Sequence, residues 1–154
     1  MIVKIGGGLL ALLLFSVFQA AMAGQLVATA EDGEEIARFD VPEGTGWCVL
    51  WNHSVQGFPV SDCYENREGR MVLVRSRQPD FAAGLGHIPG RGRQVSDGEG
   101  GYWILDINEA VTGNAYVLRP GKGPVDHRLE VGDTTVSLSE PAARQRVRIE
   151  LTEE

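Results

Sequence analysis

Side chains that commonly bind metal ions are scarce in this sequence. It holds only 3 histidines and 2 cysteines among its 154 residues. His53, His87 and His127 lie far apart and lack the short spacing that is typical of zinc ligands. The sequence therefore predicts neither a metal site nor a cofactor.

Positive charge is also in short supply. The chain has 14 lysines and arginines against 21 aspartates and glutamates, so its formal net charge is -7. The basic residues form no stripe along the chain. A moderately acidic protein of this kind is not expected to bind nucleic acid or an anionic membrane surface.

The chain lacks the elements of a serine hydrolase, although His53 and Ser54 are adjacent. Both fall in a predicted strand, where neighbouring side chains point to opposite faces, so no Ser–His hydrogen bond is expected. A G-x-S-x-G motif is absent from the sequence. These absences favour a non-enzymatic function.

A single long hydrophobic run is present, and it lies at the N-terminus. Lys4 precedes an uncharged apolar run over residues 5–18, and Ala21 and Ala23 follow at the spacing that signal peptidase recognises. We predict a signal peptide over residues 1–23, cleaved after Ala23, and a periplasmic or otherwise exported protein. The alternative is an uncleaved N-terminal membrane anchor. No membrane span is expected after the cleavage site.

The mature part of the chain, residues 24–154, has the pattern of an all-β domain. Ten short apolar or alternating runs are bounded mostly by turn residues, and no window predicts an amphipathic helix of three turns. We therefore predict an all-β fold, with a single small β-sandwich or barrel-like domain after the signal peptide. The predicted strands cover residues 25–30, 34–41, 46–55, 59–64, 70–77, 101–107, 115–120, 127–132, 134–140 and 146–152.

A glycine-rich segment over residues 84–101 interrupts the series of strands. A loop of this length inside a compact domain is usually functional or disordered. The candidate residues in and beside this loop are Phe81, Gly84, Gly86 and His87.

The two predicted strands around residues 51–64 contain the main candidate cluster. If residues 56–59 form a four-residue hairpin loop, His53 lies directly opposite Asp62, with Cβ atoms about 5 Å apart. That separation permits a hydrogen bond between the imidazole and the carboxylate. Ser54 would then point to the other face of the sheet.

Arg75 joins this cluster if the following turn centres on Glu68 and Gly69. The register would then place Arg75 opposite Asp62 and form a row with His53 across three strands. Such a row either orders the hairpin or binds a ligand, and the residues alone leave both interpretations open.

The pairing of the two cysteines depends on the same register. With a loop at residues 56–59, Cys48 lies roughly 13 Å along the strand from the position opposite Cys63, too far for a disulfide. A loop at residues 55–56 would bring Cys48 opposite Cys63, but it would set the Asp62 carboxyl against an apolar residue. The first register is favoured, and the disulfide remains the alternative.

Several short motifs, in this order, resemble a known protein family. They are "HSV" at residues 53–55, "PV" at 59–60 with an acid at Asp62, "FAAGLG" at 81–86 and "DHRL" at 126–129. Together they resemble the family called domain of unknown function 1850, over about residues 47–151. Asp62 stands where the family pattern usually has glutamate.

The resemblance implies a small exported bacterial domain that is often encoded beside TAXI-type TRAP transporters (tripartite, ATP-independent, periplasmic). The expected partners are the membrane or solute-binding subunits of such a transporter. The competing hypothesis is a site for a small carboxylate ligand or for proton transfer, built on His53, Asp62 and Arg75 beside the glycine-rich loop. The accessory module is the favoured function.

Overall fold

The computed structural model describes residues 24–79 and 90–153. The predicted signal peptide over residues 1–23 lies outside these ranges. Within the described ranges, no helix is long and apolar enough to cross a membrane. The predicted loop residues also lie outside these ranges: Phe81, Gly84, Gly86 and His87.

Twelve strands and one short helical turn form most of the described part of the chain. The strands are β1 (Gly24–Ala30), β2 (Glu35–Asp40), β3 (Gly46–Asn52), β4 (Pro59–Arg67), β5 (Arg70–Pro79), β6 (Arg93–Ser96), β7 (Gly101–Leu105), β8 (Glu109–Ala110), β9 (Ala115–Leu118), β10 (Arg128–Val131), β11 (Thr134–Ser137) and β12 (Val147–Glu153). The helical turn α1 covers Ser139–Ala142.

The strands form two antiparallel sheets. The small sheet has the order β2-β1-β12-β9, and the large sheet has the order β11-β10-β3-β4-β5-β7-β6, with β8 paired beside β7 on the edge of β5. The fold is therefore all-β, as the alternating pattern predicts, and the described strands close no barrel. The small sheet has four strands and the large sheet has a main path of seven, so the two layers are unequal.

Each of the ten predicted strands overlaps a strand of the structure, but β6 and β8 are missing from the prediction. All four residues of β6 are exposed, so this strand shows no alternation between apolar and polar residues. It lies in the glycine-rich segment that was predicted to be a loop, and that prediction is wrong for residues 93–96. The two residues of β8 are too few for any pattern.

The core lies between the two sheets and follows the alternation of the strands. Inner-face residues of β1, β3 and β12 are almost fully buried, because successive side chains of a strand point to opposite faces. An aromatic stack crosses the sandwich: the Trp47 and Tyr64 ring centroids are 6.1 Å apart, and those of Tyr64 and Tyr116 are 5.2 Å apart. This stack joins β3 and β4 to β9, the edge strand of the small sheet.

The register between β3 and β4 differs from the favoured prediction. Asp62 lies opposite Val49, and Cys48 lies opposite Cys63 with Cα atoms 4.0 Å apart and a disulfide between them. The predicted His53–Asp62 pairing is therefore wrong, and the alternative register with paired cysteines is the correct one. Physically, the disulfide ties the two strands together at facing positions, and the hairpin loop lengthens to residues 53–58.

The predicted placement of Arg75 opposite Asp62 is also wrong. The turn at Glu68 and Gly69 is where the sequence places it, since Arg67 pairs with Arg70. A β-bulge at Val74 then shifts the register, so Arg75 lies opposite Cys63 and Ser76 lies opposite Asp62. An extra residue on one strand moves every later side chain to the other face of the sheet.

Candidate functional site

The structure does not bring the four predicted cluster residues together. His53 lies in the β3–β4 hairpin loop, and Ser54 lies exposed in the turn that follows. Asp62 faces the interior of the sandwich opposite Val49, which is four strand positions from His53, or roughly 13 Å. Arg75 lies exposed on the outer face of the large sheet.

His53 organises the hairpin loop instead of pairing with Asp62. Its backbone N–H donates to the Phe58 carbonyl at 2.8 Å, and its own carbonyl accepts from the Gly57 N–H at 2.8 Å. The imidazole Nδ1 accepts from the N–H groups of Val55 and Gln56, both at 3.4 Å. These contacts fold the loop over the ring and leave Val55 at its tip, where 86% of the side chain is exposed.

The base of the hairpin is held by a cation–π contact. The Arg77 guanidinium carbon lies 4.9 Å from the centroid of the Phe58 ring. Arg77 also donates to Asp97 Oδ2 at 2.8 and 3.0 Å and to Glu99 at 2.9 Å, which fixes the β6–β7 turn beside the hairpin. Gly101 is required here, because a Cβ at this position would collide with the Phe58 ring.

A second loop, residues 121–127, packs beside the same end of β3. The Trp51 and His127 rings stack with centroids 5.6 Å apart, and Asn52 donates to the Pro124 carbonyl at 2.7 Å. His127 Nδ1 accepts from the Gly121 N–H at 3.1 Å, and burial lowers the pKa of this imidazole. The ring therefore serves as a neutral acceptor that orders the loop.

Three polar side chains, Asp62, Ser76 and Gln78, occupy inner-face positions of β4 and β5 where a sandwich normally has apolar residues. We call them the Asp62 row. Ser76 donates to Asp62 Oδ1 at 2.6 Å, and Gln78 Nε2 donates to Ser76 Oγ at 2.5 Å. Ser76 is buried, while Asp62 and Gln78 are partly buried. A row of this kind costs folding free energy through desolvation, and that cost identifies it as a candidate functional site.

The environment of Asp62 makes its carboxyl harder to ionise than an exposed one. Burial raises its pKa, while the hydrogen bond from Ser76 and the charge of Arg91 act in the opposite direction. Burial, and then the nearby Asp62 charge, raises the pKa of Tyr64 to about 12. The pKa of Tyr116 is also raised, chiefly by burial. Tyr64 lies two residues from Asp62 on the same face of β4, and Tyr116 stacks on Tyr64, so both rings are next to the Asp62 row.

The pKa shift gives a testable consequence. Asp62→Asn is expected to raise the free energy of unfolding at neutral pH by on the order of 1 kcal/mol. Asparagine can still accept the hydrogen bond from Ser76, but it carries no charge to desolvate. The measurement is urea unfolding of both proteins as a function of pH.

The sign of the pH dependence follows from the direction of the shift. The folded-state pKa of Asp62 lies above the usual value of 3.8, so the stability linked to its protonation is present below that value. This stability is lost as the pH rises through the folded-state pKa. The advantage of Asp62→Asn should therefore disappear in acid, and a variant that is less stable at neutral pH would contradict the desolvation account.

Arg75 belongs to a different row, on the outer face. Glu130, Cys48, Cys63 and Arg75 lie side by side across β10, β3, β4 and β5. The Arg75 guanidinium carbon lies 5.2 Å from the centroid of the Trp103 ring. Arg75 does not contact Asp62, because the two side chains are on opposite faces of the sheet.

The prediction from sequence missed Ser76, Gln78 and Tyr116. A signal for the first two was present, since an unbroken alternation from Met71 and Leu73 would bury Arg75 and Arg77. Two buried arginines without partners are unfavourable, which indicates a bulge in this strand. No signal of this kind exists for Tyr116, because its position depends on the packing of β9 against β4.

The comparisons with known proteins identify a family. A family model described as Domain of unknown function (DUF1850) matches residues 48–138. The chain belongs to this family. The DUF1850 match begins in β3 and ends just after β11, so it covers nearly all of the large sheet, including the hairpin and the Asp62 row. No curated protein and no solved structure matches the chain.

Proposed function

We propose that this DUF1850 domain is an exported, non-enzymatic accessory module that binds another protein through its β3–β4 hairpin. The proposed partner is a membrane or solute-binding subunit of a TRAP-type transporter. The exposed Val55, held at the tip of a loop that His53 organises, is the observation that carries this proposal.

The construction of the hairpin supports a recognition role. Backbone groups of Gly57 and Phe58 form hydrogen bonds with the backbone of His53. At the base of the loop, the Phe58 ring packs against the Arg77 guanidinium. A loop that is already ordered loses little conformational entropy on binding. Val55 supplies an apolar side chain that a partner could bury, and anchors of this kind contribute most when they fill a pocket.

The proposed periplasmic location and the proposed transporter partner are supported by the sequence. The N-terminal pattern supports export to the periplasm with cleavage after Ala23, and an uncleaved anchor would keep the domain on the same side of the membrane. The "HSV" motif, which supports the likeness to proteins encoded beside TAXI-type transporters, forms part of the hairpin loop. Gene neighbourhood is an association and not a physical argument, so the partner requires a direct test.

The residues of the alternative site, for a carboxylate ligand or for proton transfer, lie apart from one another. His53 Nδ1 is occupied by the loop N–H groups, and the strand register separates it from Asp62. Arg75 lies on the opposite face of the sheet from Asp62. A proton relay needs groups within hydrogen-bond reach, and these three side chains do not meet.

The test is a pull-down of the tagged mature protein from native membranes, with the captured proteins identified by mass spectrometry. Subunits of a TRAP-type transporter should be recovered with the unchanged protein. Val55→Asp should lower that recovery about tenfold, which corresponds to ~1.4 kcal/mol, because an aspartate at the tip cannot be buried without a partner. N-terminal sequencing of the same preparation should begin at Gly24.

Val117→Asp is the matched control, because Val117 is an exposed valine on β9 of the small sheet, with 44% of its surface accessible. It should leave the recovery unchanged. Equal recovery with Val55→Asp and Val117→Asp would rule out the hairpin as the contact. Absence of transporter subunits from every sample would contradict the proposed partner.

A further inference from the structure

Each hydrogen bond within the Asp62 row is donated toward Asp62. Gln78 donates to Ser76, and Ser76 donates to one oxygen of the Asp62 carboxylate. Within the described residues, the second oxygen, Oδ2 of Asp62, and the side-chain carbonyl of Gln78 accept no hydrogen bond from the protein. Among the described residues, the row therefore presents two acceptors without a matching donor.

The negative charge of the row is only partly balanced. Arg91 is the described cation whose charge acts on Asp62, but it donates to both oxygens of Glu109, at 2.8 and 2.9 Å. One arginine thus serves two carboxylates in this part of the structure. A partly buried carboxylate without a full counter-charge attracts a cation more strongly than an exposed one does.

The row lies where the two layers of the sandwich are unequal. Tyr116 of β9, the edge strand of the small sheet, stacks on Tyr64 beside Asp62. The large sheet continues past this edge through β5, β7 and β6. The buried Tyr116 hydroxyl has no hydrogen bond of normal geometry within the described residues, although the Tyr64 hydroxyl is near enough for the two groups to shift each other's pKa.

We propose that the Asp62 row binds a small organic ammonium ion, with Asp62 Oδ2 and the Gln78 carbonyl as acceptors. An ammonium group carries three donors and no acceptor, so it complements the acceptors that the row leaves open. It also supplies a positive charge beside Asp62, where Arg91 is shared with Glu109. Asp62 is the single carboxylate of the row, and the described residues include no group of three or more His, Cys, Asp or Glu that could hold a metal ion, so the row offers too few ligands for a divalent metal ion.

This site does not depend on the proposed transporter partner, because the row faces the interior and the hairpin tip faces the solvent. Ser76 is a positioning residue in it, since its hydroxyl fixes the orientation of the carboxylate. The ligand is a free amine and not a lysine of a partner protein, because the acceptors are partly buried on the inner face of the large sheet and not on its exposed outer face.

Titration of the mature protein with n-butylammonium chloride, followed by amide NMR shifts, tests the site. Binding with a dissociation constant on the order of 1–10 mM is expected for so small a probe, with the largest shifts in β4 and β5 around Asp62 and Ser76. The neutral butan-1-ol should bind at least tenfold more weakly. Asp62→Asn should also weaken binding at least tenfold, and this variant is expected to fold because it removes a desolvated charge.

Asp133→Asn, in the exposed β10–β11 turn, is the control and should bind butylammonium normally. Equal binding to Asp62→Asn and to the unchanged protein would overturn the proposal, and so would equal binding of butan-1-ol. An Nα-acetyl-lysine amide that binds more tightly than butylammonium would overturn the assignment to a free amine. None of these results depends on recovery of transporter subunits, so the two proposals fail separately.

Discussion

Removal of the Cys48–Cys63 disulfide is expected to lower the free energy of unfolding by about 3 kcal/mol. The two cysteines are 15 residues apart in sequence, and the cross-link restricts the unfolded chain over that loop. The disulfide also lies between β3 and β4, which join the hairpin to the row that contains Asp62. Urea unfolding of the Cys48→Ala/Cys63→Ala variant at neutral pH measures the loss.

Reduction provides the matched control for this prediction. A thiol reductant should lower the urea midpoint of the unchanged protein toward that of the double variant, and it should leave the variant unaffected. Alkylation followed by mass spectrometry reports whether the bond was present at the start. A protein that is shown to be reduced but keeps its midpoint would contradict a stabilising role for the bond.

Asn66→Ala is expected to cost about 3 kcal/mol, because it leaves two buried backbone groups without partners. Asn66 is fully buried in β4, where its Nδ2 donates to the Val41 carbonyl at 2.7 Å and its Oδ1 accepts from the Gly69 N–H at 3.0 Å. The side chain thus connects the segment after β2 to the β4–β5 turn. Alanine removes both hydrogen bonds and adds a small cavity.

Asn66→Asp separates the two contributions. Its carboxylate can still accept from Gly69 but cannot donate to Val41, and it would carry a charge in the core. It should therefore be no more stable than Asn66→Ala at neutral pH. Gln94→Ala, on the exposed β6, is the control and should change stability by less than about 0.5 kcal/mol. A small effect of Asn66→Ala in thermal and urea unfolding would mean that water replaces both hydrogen bonds.

The two proposals assign different tasks to the β3–β4 hairpin loop and to the β4 strand that follows it. The hairpin before β4 presents Val55 to a partner, while Asp62 within β4 faces the interior. Phe58 and Arg77 connect them, since Arg77 and Ser76 are neighbours on β5. A ligand at the Asp62 row would therefore lie one residue from the contact that holds the base of the hairpin.

The positions of ten of the twelve described strands followed from the sequence alone. Runs such as those of β1, β3 and β12 alternate between buried and less buried residues, and glycine or asparagine marks most of the turns between them. These signals are local, so they do not require knowledge of the partner strand. The all-β class and the turn at Glu68 and Gly69 were predictable for this reason.

The register of β3 against β4 was decided only by the tertiary structure. The two registers that the sequence allowed differ by an even number of residues, and the period of a strand is two, so both place the same side chains on the same faces. The apolar pattern therefore could not distinguish a His53–Asp62 pair from a Cys48–Cys63 pair. The disulfide distinguishes them, since it requires Cys48 and Cys63 to face each other.

A single extra residue in β5 decided which of its polar side chains face the interior of the sandwich. Val74 shifts β5 by one position, which turns Arg75 outward toward Trp103 and turns Ser76 inward toward Asp62. The sequence determined which residues were available near Asp62. The bulge determined which of them reached it, because an odd shift exchanges the two faces of a strand and an even shift does not.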